Sequence, residues 1–396
     1  MPPSDNSFDV VVIGGGVIGQ AIAWRARERG MNVTVLERHT LGCGASRVAA
    51  GMLAPVAEAD FGEAARAVLQ LGLRSVQRWP SFAEQLQAAS GVQVPLRPSG
   101  TLLLARDEDE ARELERQISL RESLGLRTRR LRPSEARELE PALAPTIRLA
   151  LEVPDEYSVD PRLLLDALTR ACERSGVVLR QQTEAESIEV DGDGRACGVR
   201  LADGELIRAS HVVLAAGAWS DLIGGAAQRA RTQVRPVKGQ IIRLADPSGP
   251  GLLQRVIRYQ GGYIVPRGDG RYVLGATAEE QGFNDKLTAG GIYALLREAW
   301  EVLPGVAELE IEEIAVGFRP GTPDNVPRIG ASPVQGLLWA TGHYRNGILL
   351  TPLTADLALQ SLLQDQSESK PAADSPQSTA GLPVDQPTGR AEEQPA

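Results

Sequence analysis

The chain has 396 residues, of which 42% are hydrophobic and 23% charged, a composition typical of a globular protein with a sizeable core and two or three structural units. Its formal net charge of −9 argues against a nucleic-acid partner and against binding to an anionic membrane. Three isolated cysteines without a CxxC pair exclude a disulfide framework and predict no metal site. Neither a secretory signal nor an apolar run long enough to cross a bilayer is visible, so we expect a cytoplasmic protein.

The first predicted elements are a strand, a glycine-rich turn, a helix, a second strand and an acid. The apolar run Val10–Ile13 is typical of a buried parallel strand and leads into Gly14-x-Gly16-x-x-Gly19. Gly14 permits a tight turn, Gly16 lets the backbone approach a pyrophosphate, and Gly19 lets the helix pack close to the strand. The helix N-terminus offers free N–H groups to the phosphates, and Glu37 is placed to bind a ribose diol. This pattern predicts dinucleotide binding.

The next segment, from Leu41 to Leu53, is crowded with small residues. Glycine and alanine there either let a helix pack closely on a neighbour or let the backbone approach a large planar ligand. The position directly after the ribose-binding acid favours the second interpretation.

Hydrophobic periodicity and turn signals predict the remaining elements. The predicted helices cover residues 61–90 with a break at Pro80, 107–124, 134–143, 160–176, 288–303 and 348–363. The predicted strands cover residues 100–105, 149–153, 177–180, 185–190, 197–201, 207–208, 211–220, 237–244, 256–259, 262–266, 271–276, 311–318 and 337–341. Residues 317–324 are predicted to form a rigid loop.

Nucleotide-binding and β-rich segments alternate along the chain. We therefore predict an α/β protein in which a discontinuous Rossmann-like domain, formed by residues 8–88, 150–228 and 322–364, binds the nucleotide. Residues 89–149 and 229–321 form an antiparallel-sheet substrate domain, with the catalytic cleft between the two. The segment 365–396 has five prolines and little apolar content, which predicts a disordered tail.

Four motifs resemble those of the glycine oxidase branch of the D-amino acid oxidase superfamily of FAD-dependent enzymes. The motifs are Val11–Gly19, Ala49–Ala54, Gly262–Arg267 with Val273–Thr277, and Gly317–Thr322 with Thr341–Leu350. The first is generic to FAD and NAD folds, and the last is the most specific. The resemblance covers roughly residues 8–363 and implies a GR2/p-hydroxybenzoate hydroxylase-like fold with an antiparallel substrate domain.

The resemblance implies that FAD oxidises a small amino acid to its imine and that dioxygen is then reduced to hydrogen peroxide. The imine is hydrolysed to glyoxylate or feeds the thiazole ring of thiamin. Tetramers occur in the family, so we expect a homotetramer. Alternatives on the same fold are a sarcosine or D-amino acid oxidase and a quinone-linked dehydrogenase. An alternative of another class is an FAD-binding module in tRNA modification, against which the acidic net charge argues.

Motifs and resemblance together predict the residues that contact FAD. They are Gly14, Gly16, Val17, Ile18, Gly19, Glu37, Arg38, Ala45, Ser46, Ala50, Gly51, Met52, Ala216, Gly217, Trp219, Tyr344, Arg345, Asn346, Gly347, Ile348 and Leu349. No cysteine lies near residues 315–346, where family members with covalent flavin place theirs, so we expect dissociable FAD.

Three residues are predicted to act on the substrate. Arg319 would anchor the carboxylate, because its planar fork binds two oxygens; the alternative is a salt bridge at a domain boundary. Tyr263 would be a second carboxylate donor or a packed core tyrosine, and Arg345 would contact substrate or flavin or brace its loop. Of three histidines, only His343 lies near this site, and no carboxylate is predicted to pair with it. Hydride transfer from a neutral amine needs orientation more than a protein base. Ala278 stands where some relatives carry a larger side chain, so the size of the pocket stays open.

Overall fold

The computed structural model describes residues 7–249 and 251–368. The α-helices of these residues are α1 (Val17–Glu28), α2 (Ala45–Val48), α3 (Glu63–Val76), α4 (Trp79–Ser90), α5 (Glu108–Ser123), α6 (Pro133–Leu139), α7 (Pro161–Ser175), α8 (Ala226–Arg229), α9 (Ala289–Val302) and α10 (Gly347–Glu368). Two short 3₁₀ segments are Gly217–Leu222 and Pro304–Glu308.

The strands of the described residues fall into two large sheets and one small pair. They are β1 (Ser7–Ile13), β2 (Val33–Leu36), β3 (Met52–Leu53), β4 (Thr101–Ala105), β5 (Arg129–Leu131), β6 (Leu149–Val153), β7 (Tyr157–Ser158), β8 (Val178–Arg180), β9 (Ala185–Val190), β10 (Ala196–Leu201), β11 (Leu206–Leu214), β12 (Gly224–Gly225), β13 (Arg235–Ala245), β14 (Val256–Tyr259), β15 (Gly262–Pro266), β16 (Arg271–Gly275), β17 (Glu310–Gly321), β18 (Arg328–Ala331) and β19 (Leu337–Thr341).

The first sheet has a parallel centre. Strands β19, β11, β1, β2 and β8 run parallel in that order. β10 pairs antiparallel with the start of β11, β9 and β12 continue beyond β10, and β18 pairs with β19. In such sheets the ligand binds beyond the carboxyl ends of the parallel strands, which is where the glycine turn after β1 lies.

The helices α1, α7 and α10 cover one face of this sheet, and α4 packs on α7. The valines of β1 and β2 are fully buried, and valines of both strands contribute to the same core. Burial of the side chains on both faces is typical of central parallel strands. Helix α7 begins and ends as the sequence predicts: the Asp160 side chain accepts from the N–H of Arg162, and Gly176 ends the helix in a left-handed conformation.

The second sheet has eight strands in the order β17-β13-β16-β15-β14-β4-β6-β5. All neighbours are antiparallel except β14 and β4. The predicted α/β class with an additional antiparallel sheet is therefore confirmed. Among the described residues, no helix combines the length and apolar character needed to cross a bilayer.

Four predicted boundaries differ from the structure. The rigid loop predicted at 317–324 lies largely within β17, which pairs with β13 along its whole length. β17 is an edge strand, where a proline such as Pro320 is tolerated. The strands predicted at 207–208 and 211–220 are joined in one strand, β11, which ends at Leu214, and residues 217–220 belong to a 3₁₀ segment instead. Pro80 does not end a helix but occupies the first turn of α4, a position where its missing N–H costs nothing.

The fourth difference concerns the predicted tail. Helix α10 continues to Glu368, so residues 365–368 are helical, and Asp365 pairs with Arg195 and His211 of the first sheet. Residues 369–396 lie outside the described part of the chain. The predicted domain boundary at 149/150 falls inside β6, all of which belongs to the second sheet. The domain division as a whole stays a prediction.

Candidate active site

One cavity of about 1150 Å³ dominates the described part of the chain and is lined by residues of both large sheets. Its volume exceeds the roughly 300–1,000 Å³ of a pocket for a drug-sized ligand. Lining residues run from Ile13 to Ile348, so segments far apart in sequence form one site. All predicted site residues line this cavity except Gly19 and Leu349.

The glycine turn connects β1 to α1 with little room for side chains. Gly14 has a φ of +111°, and a β-carbon there would lie 2.4 Å from the carbonyl oxygen of Ala215. A β-carbon on Gly19 would lie 2.0 Å from the carbonyl oxygen of Gly14. Gly19 therefore lets α1 pack on the turn and does not itself line the cavity, as the helix-packing role of the third glycine requires.

The N-terminus of α1 opens into the cavity at Gly16 and Val17. The Ser46 hydroxyl, carried by α2, accepts a hydrogen bond from the Val17 N–H at 3.2 Å. The small-residue segment thus lies against the helix end that attracts anions. A phosphate placed here would meet backbone N–H groups and a hydroxyl.

Glu37 follows β2 and lies beside the glycine turn. One carboxylate oxygen accepts from the Gly15 N–H at 2.9 Å, and the other accepts from the His39 N–H at 3.0 Å. The Glu37 carbonyl also accepts from the N–H of Thr183. These bonds fix the carboxylate at the cavity wall, where the sequence predicts the ribose contact.

An aromatic cluster lies at the wall near Glu37. The Arg38 guanidinium lies 4.1 Å from the centre of the Trp219 ring, which stacks on Phe283 at 5.1 Å. Phe318 meets both rings edge-on. Arg38 and Trp219 are predicted cofactor contacts, and the structure brings the two together.

The small residues from Ala45 to Met52 combine the two roles considered for them, close packing between chain segments and approach of the backbone to the cavity. Ala45, Ala50 and Met52 line the cavity. Gly51 also lines the cavity, but its φ is +80° and a β-carbon would lie 2.0 Å from the carbonyl oxygen of Val159. Glycine at 51 is thus required by packing between chain segments, and the same packing brings the backbone to the cavity.

At the other end of the cavity, Arg319 and Tyr263 each lie over a glycine. Arg319 Nη1 donates to the carbonyl oxygen of Thr277 at 3.0 Å, and a β-carbon on Gly239 would lie 2.4 Å from this nitrogen. A β-carbon on Gly275 would lie 2.5 Å from the phenol oxygen of Tyr263. Two glycines of neighbouring strands therefore make room for the two predicted carboxylate donors.

Burial raises the pKa of Tyr263, while the charges of Arg319, Arg258 and Arg345 act in the opposite direction. The Tyr263 phenol is thus protonated at neutral pH and available as a donor. The negative charge of Glu58 also raises the pKa of Tyr263. The charges that influence the pKa of this phenol are thus three guanidinium groups and one carboxylate.

The loop before α10 carries an exposed arginine and a buried histidine. Arg345 is exposed, and its guanidinium lies 5.1 Å from the Tyr344 ring. His343 is buried, its Nε2 lies 2.9 Å from the Thr354 hydroxyl, and burial lowers its pKa to about 4. His343 is therefore neutral at physiological pH, and its Nε2 faces a hydroxyl group.

Leu349 was predicted to contact the cofactor, but the structure places it in the helical core. Its side chain is buried, and its carbonyl oxygen accepts from the Ser75 hydroxyl and from the Trp79 indole N–H. Leu349 lies in the first turn of α10, on the side of the helix that faces Ser75 and Trp79 and not the cavity. Gly347 and Ile348 at the helix start do line the cavity.

Sequence reasoning missed four charged residues at the Tyr263 end of the cavity. They are Glu58, Arg106, Arg258 and Glu298. Only Arg258 carries a signal in the sequence, because it interrupts the apolar strand β14. Residues 183–186 and 202 near Glu37 were also missed, since only the fold brings β9 and β10 to this wall. No group of histidine, cysteine and acidic residues in the described part of the chain could hold a metal ion.

Comparison with known proteins decides the family. A family model described as FAD dependent oxidoreductase matches residues 9–360. The chain belongs to this family of FAD-dependent oxidoreductases. It is 36% identical over 351 residues to a glycine oxidase of Geobacillus kaustophilus, which covers 88% of the chain and 91% of the relative.

Two further similarities support this assignment. The oxidoreductase is 36% identical over 362 residues to a bifunctional protein ThiO/ThiG of Trichormus variabilis, covering 91% of the chain and 53% of that longer protein. Among solved structures, it is similar to the crystal structure of glycine oxidase from Geobacillus kaustophilus, with a TM-score of 0.85 and 34% identity. That match covers 93% of the chain and 97% of the solved one.

The residues of the oxidoreductase fit FAD. The cavity is larger than a small substrate needs and reaches from the α1 N-terminus to Tyr263. The glycine turn and Ser46 suit the pyrophosphate, and Glu37 suits a ribose. The small residues from Ala45 to Met52 leave space for a planar ring system. FAD is the cofactor of the family, and the prediction of FAD is confirmed.

Proposed function

We propose that the protein oxidises glycine, and small amines such as sarcosine or D-alanine, to the imine with release of hydrogen peroxide. The imine of glycine either hydrolyses to glyoxylate and ammonia or supplies the thiazole ring of thiamin. The observation that carries this proposal is the pair Arg319 and Tyr263, which lie over Gly239 and Gly275 at one end of a cavity whose other end suits a dinucleotide. The names of the relatives, glycine oxidase and ThiO/ThiG, agree with it.

Arg319 is the proposed carboxylate anchor. Its bond to the carbonyl of Thr277 orients the guanidinium and leaves other N–H groups for a ligand. Tyr263, protonated because burial raises its pKa, donates the second hydrogen bond. A carboxylate held by a charged fork and a phenol cannot rotate, so the α-carbon is fixed relative to the rest of the cavity.

The residues from Gly14 to Met52 would hold FAD, which would supply a hydride acceptor for the α-carbon and a route for the two electrons to dioxygen. The side chains of Arg319 and Tyr263 would hold the substrate in place for this chemistry. His343 is neutral and faces Thr354, so it is not proposed as a base. The N-terminus of α10 at Gly347 lines the cavity and adds a partial positive charge that stabilises developing negative charge.

Anaerobic reduction of the purified flavoprotein tests the proposal. Glycine, sarcosine and D-alanine should each bleach the flavin absorption, and admission of air should restore it with one equivalent of hydrogen peroxide. Flavin that none of these amines reduces would refute the substrate assignment. Flavin that glycine reduces but air does not reoxidise would favour the quinone-linked alternative.

Assembly and location belong to the same proposal. We propose a cytoplasmic homotetramer, which light scattering after size-exclusion chromatography would test. A monomer at micromolar concentration would contradict the proposed assembly without affecting the proposed reaction.

A further inference from the structure

We propose that the cavity contains a second anion-binding subsite built on Arg258, and that the enzyme accepts amino acids with a second carboxylate, such as D-aspartate, in preference to their uncharged amides. This inference rests on the proposed amino acid oxidation and adds a substrate class to it. Arg258 stands outside every motif that the sequence analysis singled out.

The position of Arg258 follows from strand register. Arg258 in β14 pairs directly with Tyr263 in the antiparallel strand β15. Directly opposite residues project from the same face of a sheet, with β-carbons about 4.5–5.5 Å apart. The alternate residues Ile257 and Ile264 are buried in the core on the other face. Arg258 therefore projects into the cavity beside the proposed carboxylate donor.

The Arg258 guanidinium keeps most of its hydrogen-bonding capacity. Nη1 donates to Glu58 Oε1 at 2.7 Å, and both side chains are about one-fifth exposed, at 20% and 19%. Among the described residues, this is the hydrogen bond recorded for the guanidinium, which has five N–H donors in a planar fork. The remaining donors match the geometry of a second carboxylate.

The ion pair with Glu58 is not needed to hold the turn that carries Glu58. Buried Arg121 donates from Nε to the Val56 carbonyl and from Nη2 to the carbonyls of Ala57 and Ala59. The carboxylate of Glu156 accepts from the Ala57 N–H at 2.8 Å. The turn is thus fixed on both sides by other residues, and the role of Glu58 is to orient Arg258.

The charges at this end of the cavity favour an anionic ligand. Arg106, Arg258, Arg319 and Arg345 line the wall together with Glu58 and Glu298. Arg106 is already paired with Glu110, Glu298 and Glu301, and within the described part of the chain Arg258 shares its charge with Glu58 alone. Among the described residues, Arg319 and Arg345 have no recorded carboxylate partner. The α-carboxylate of the substrate pairs with Arg319, and a second carboxylate can share the Arg258 fork with Glu58, which a neutral amide does less strongly.

Space for the second carboxylate lies next to Arg258. Gly261 lines the cavity without a side chain, a β-carbon there would approach no atom closer than 3.8 Å, and Ala278 is small. The sequence left the size of the pocket open because of Ala278. The absence of bulk at these positions gives a substrate longer than glycine room to reach the arginine.

The test compares D-aspartate with D-asparagine, which have nearly the same shape and differ in one charge. We expect kcat/KM of the holoenzyme to be at least about tenfold higher for D-aspartate, as for a charge-assisted hydrogen bond. In Arg258→Met the ratio should fall to about one. Arg271→Met removes an exposed arginine that pairs with Asp269 on the same sheet, and should leave the ratio unchanged.

A binding measurement decides the subsite independently of turnover. Succinate and its monoamide succinamate cannot be oxidised as amines, and their Kd values follow from calorimetry on the holoenzyme. Succinate should bind about tenfold more tightly, and Arg258→Met should abolish the difference.

The outcomes separate the two proposals. If glycine reduces the flavin but both ratios are the same in the original protein and in Arg258→Met, the subsite is refuted and the proposed function stands. If no amino acid reduces the flavin, the proposed function fails, while the succinate ratio still decides whether Arg258 binds a carboxylate.

Discussion

The phenol of Tyr263 lies directly against Gly275 of the neighbouring strand. The two residues are a register pair of β15 and β16, and a β-carbon on Gly275 would lie 2.5 Å from the phenol oxygen and 2.6 Å from the ring carbon that bears it. The orientation of the predicted substrate donor therefore depends on a missing side chain.

Gly275→Ala should displace Tyr263 and raise the KM for glycine about tenfold, as expected for the loss of one hydrogen bond to a charged group. Flavin content should not change, because Gly275 does not line the cavity. The matched control is Gly192→Ala, since a β-carbon on Gly192 meets nothing within 4 Å. An unaltered KM in Gly275→Ala would show that the Tyr263 phenol does not bind substrate.

Arg319→Leu should reduce kcat/KM for glycine by about 2–5 kcal/mol of transition-state binding, because it leaves the substrate carboxylate without its cation. Stopped-flow reduction of the flavin at several glycine concentrations measures this loss. Arg319→Lys should recover part of it, since lysine keeps the charge but lacks the planar fork. If glycine reduces the flavin of Arg319→Leu as fast as that of the original protein, Arg319 is a structural residue of β17.

Alanine substitutions at two glycines of the first turn should have different effects, one on stability and the other on FAD binding. A β-carbon on Gly19 would lie 2.0 Å from the carbonyl oxygen of Gly14, whereas a β-carbon on Gly16 would lie 3.2 Å from the Ser46 hydroxyl, its nearest neighbour. Gly19→Ala should therefore lower the urea midpoint of the protein even without flavin. Gly16→Ala should fold normally and bind FAD more weakly, as fluorescence titration would show. The reverse pattern would contradict the assigned roles.

Glu156 should make stability depend on pH. Burial raises the pKa of this carboxyl to about 7, above the roughly 4.3 of an unfolded chain. The folded state then binds more protons between these values, so the stability that Glu156 contributes is present at low pH. It is lost as the pH rises through about 7, at up to about 1.4 kcal/mol per pH unit.

Glu156→Gln should remove this dependence, because an amide cannot ionise while its oxygen still accepts from the Ala57 N–H. Urea unfolding from about pH 5 to about pH 8 should show that the free energy of unfolding of the variant increases relative to that of the original protein as the pH rises. Parallel stability curves for the two proteins would mean that Glu156 titrates at its ordinary pKa.

The sequence predicts the nucleotide end of the cavity well because local chemistry determines it. The glycine turn, the N-terminus of α1 and Glu37 lie within one strand–helix–strand unit. Their roles follow from spacing alone. Helix caps such as Asp160 were readable for the same reason.

The substrate end could be predicted only in part, because register across strands determines it. Nothing local to Arg258 shows that it stands opposite Tyr263, and nothing local to Glu58 shows that its turn reaches β14. Arg319 is predicted to bind the substrate carboxylate from a rigid loop, but the structure places it in a strand, β17. Two prolines near it suggested a loop, whereas an edge strand accommodates Pro320.

The cavity wall includes Ile13 at the end of the first strand and Ile348 at the start of the last helix. FAD bound along this wall acts as a non-covalent cross-link between distant parts of the chain. By linkage, the free energy of unfolding rises with the concentration of free FAD, by about 4 kcal/mol when that concentration is a thousand times Kd. The supply of flavin during expression thus affects the free energy of unfolding of this protein as well as its activity.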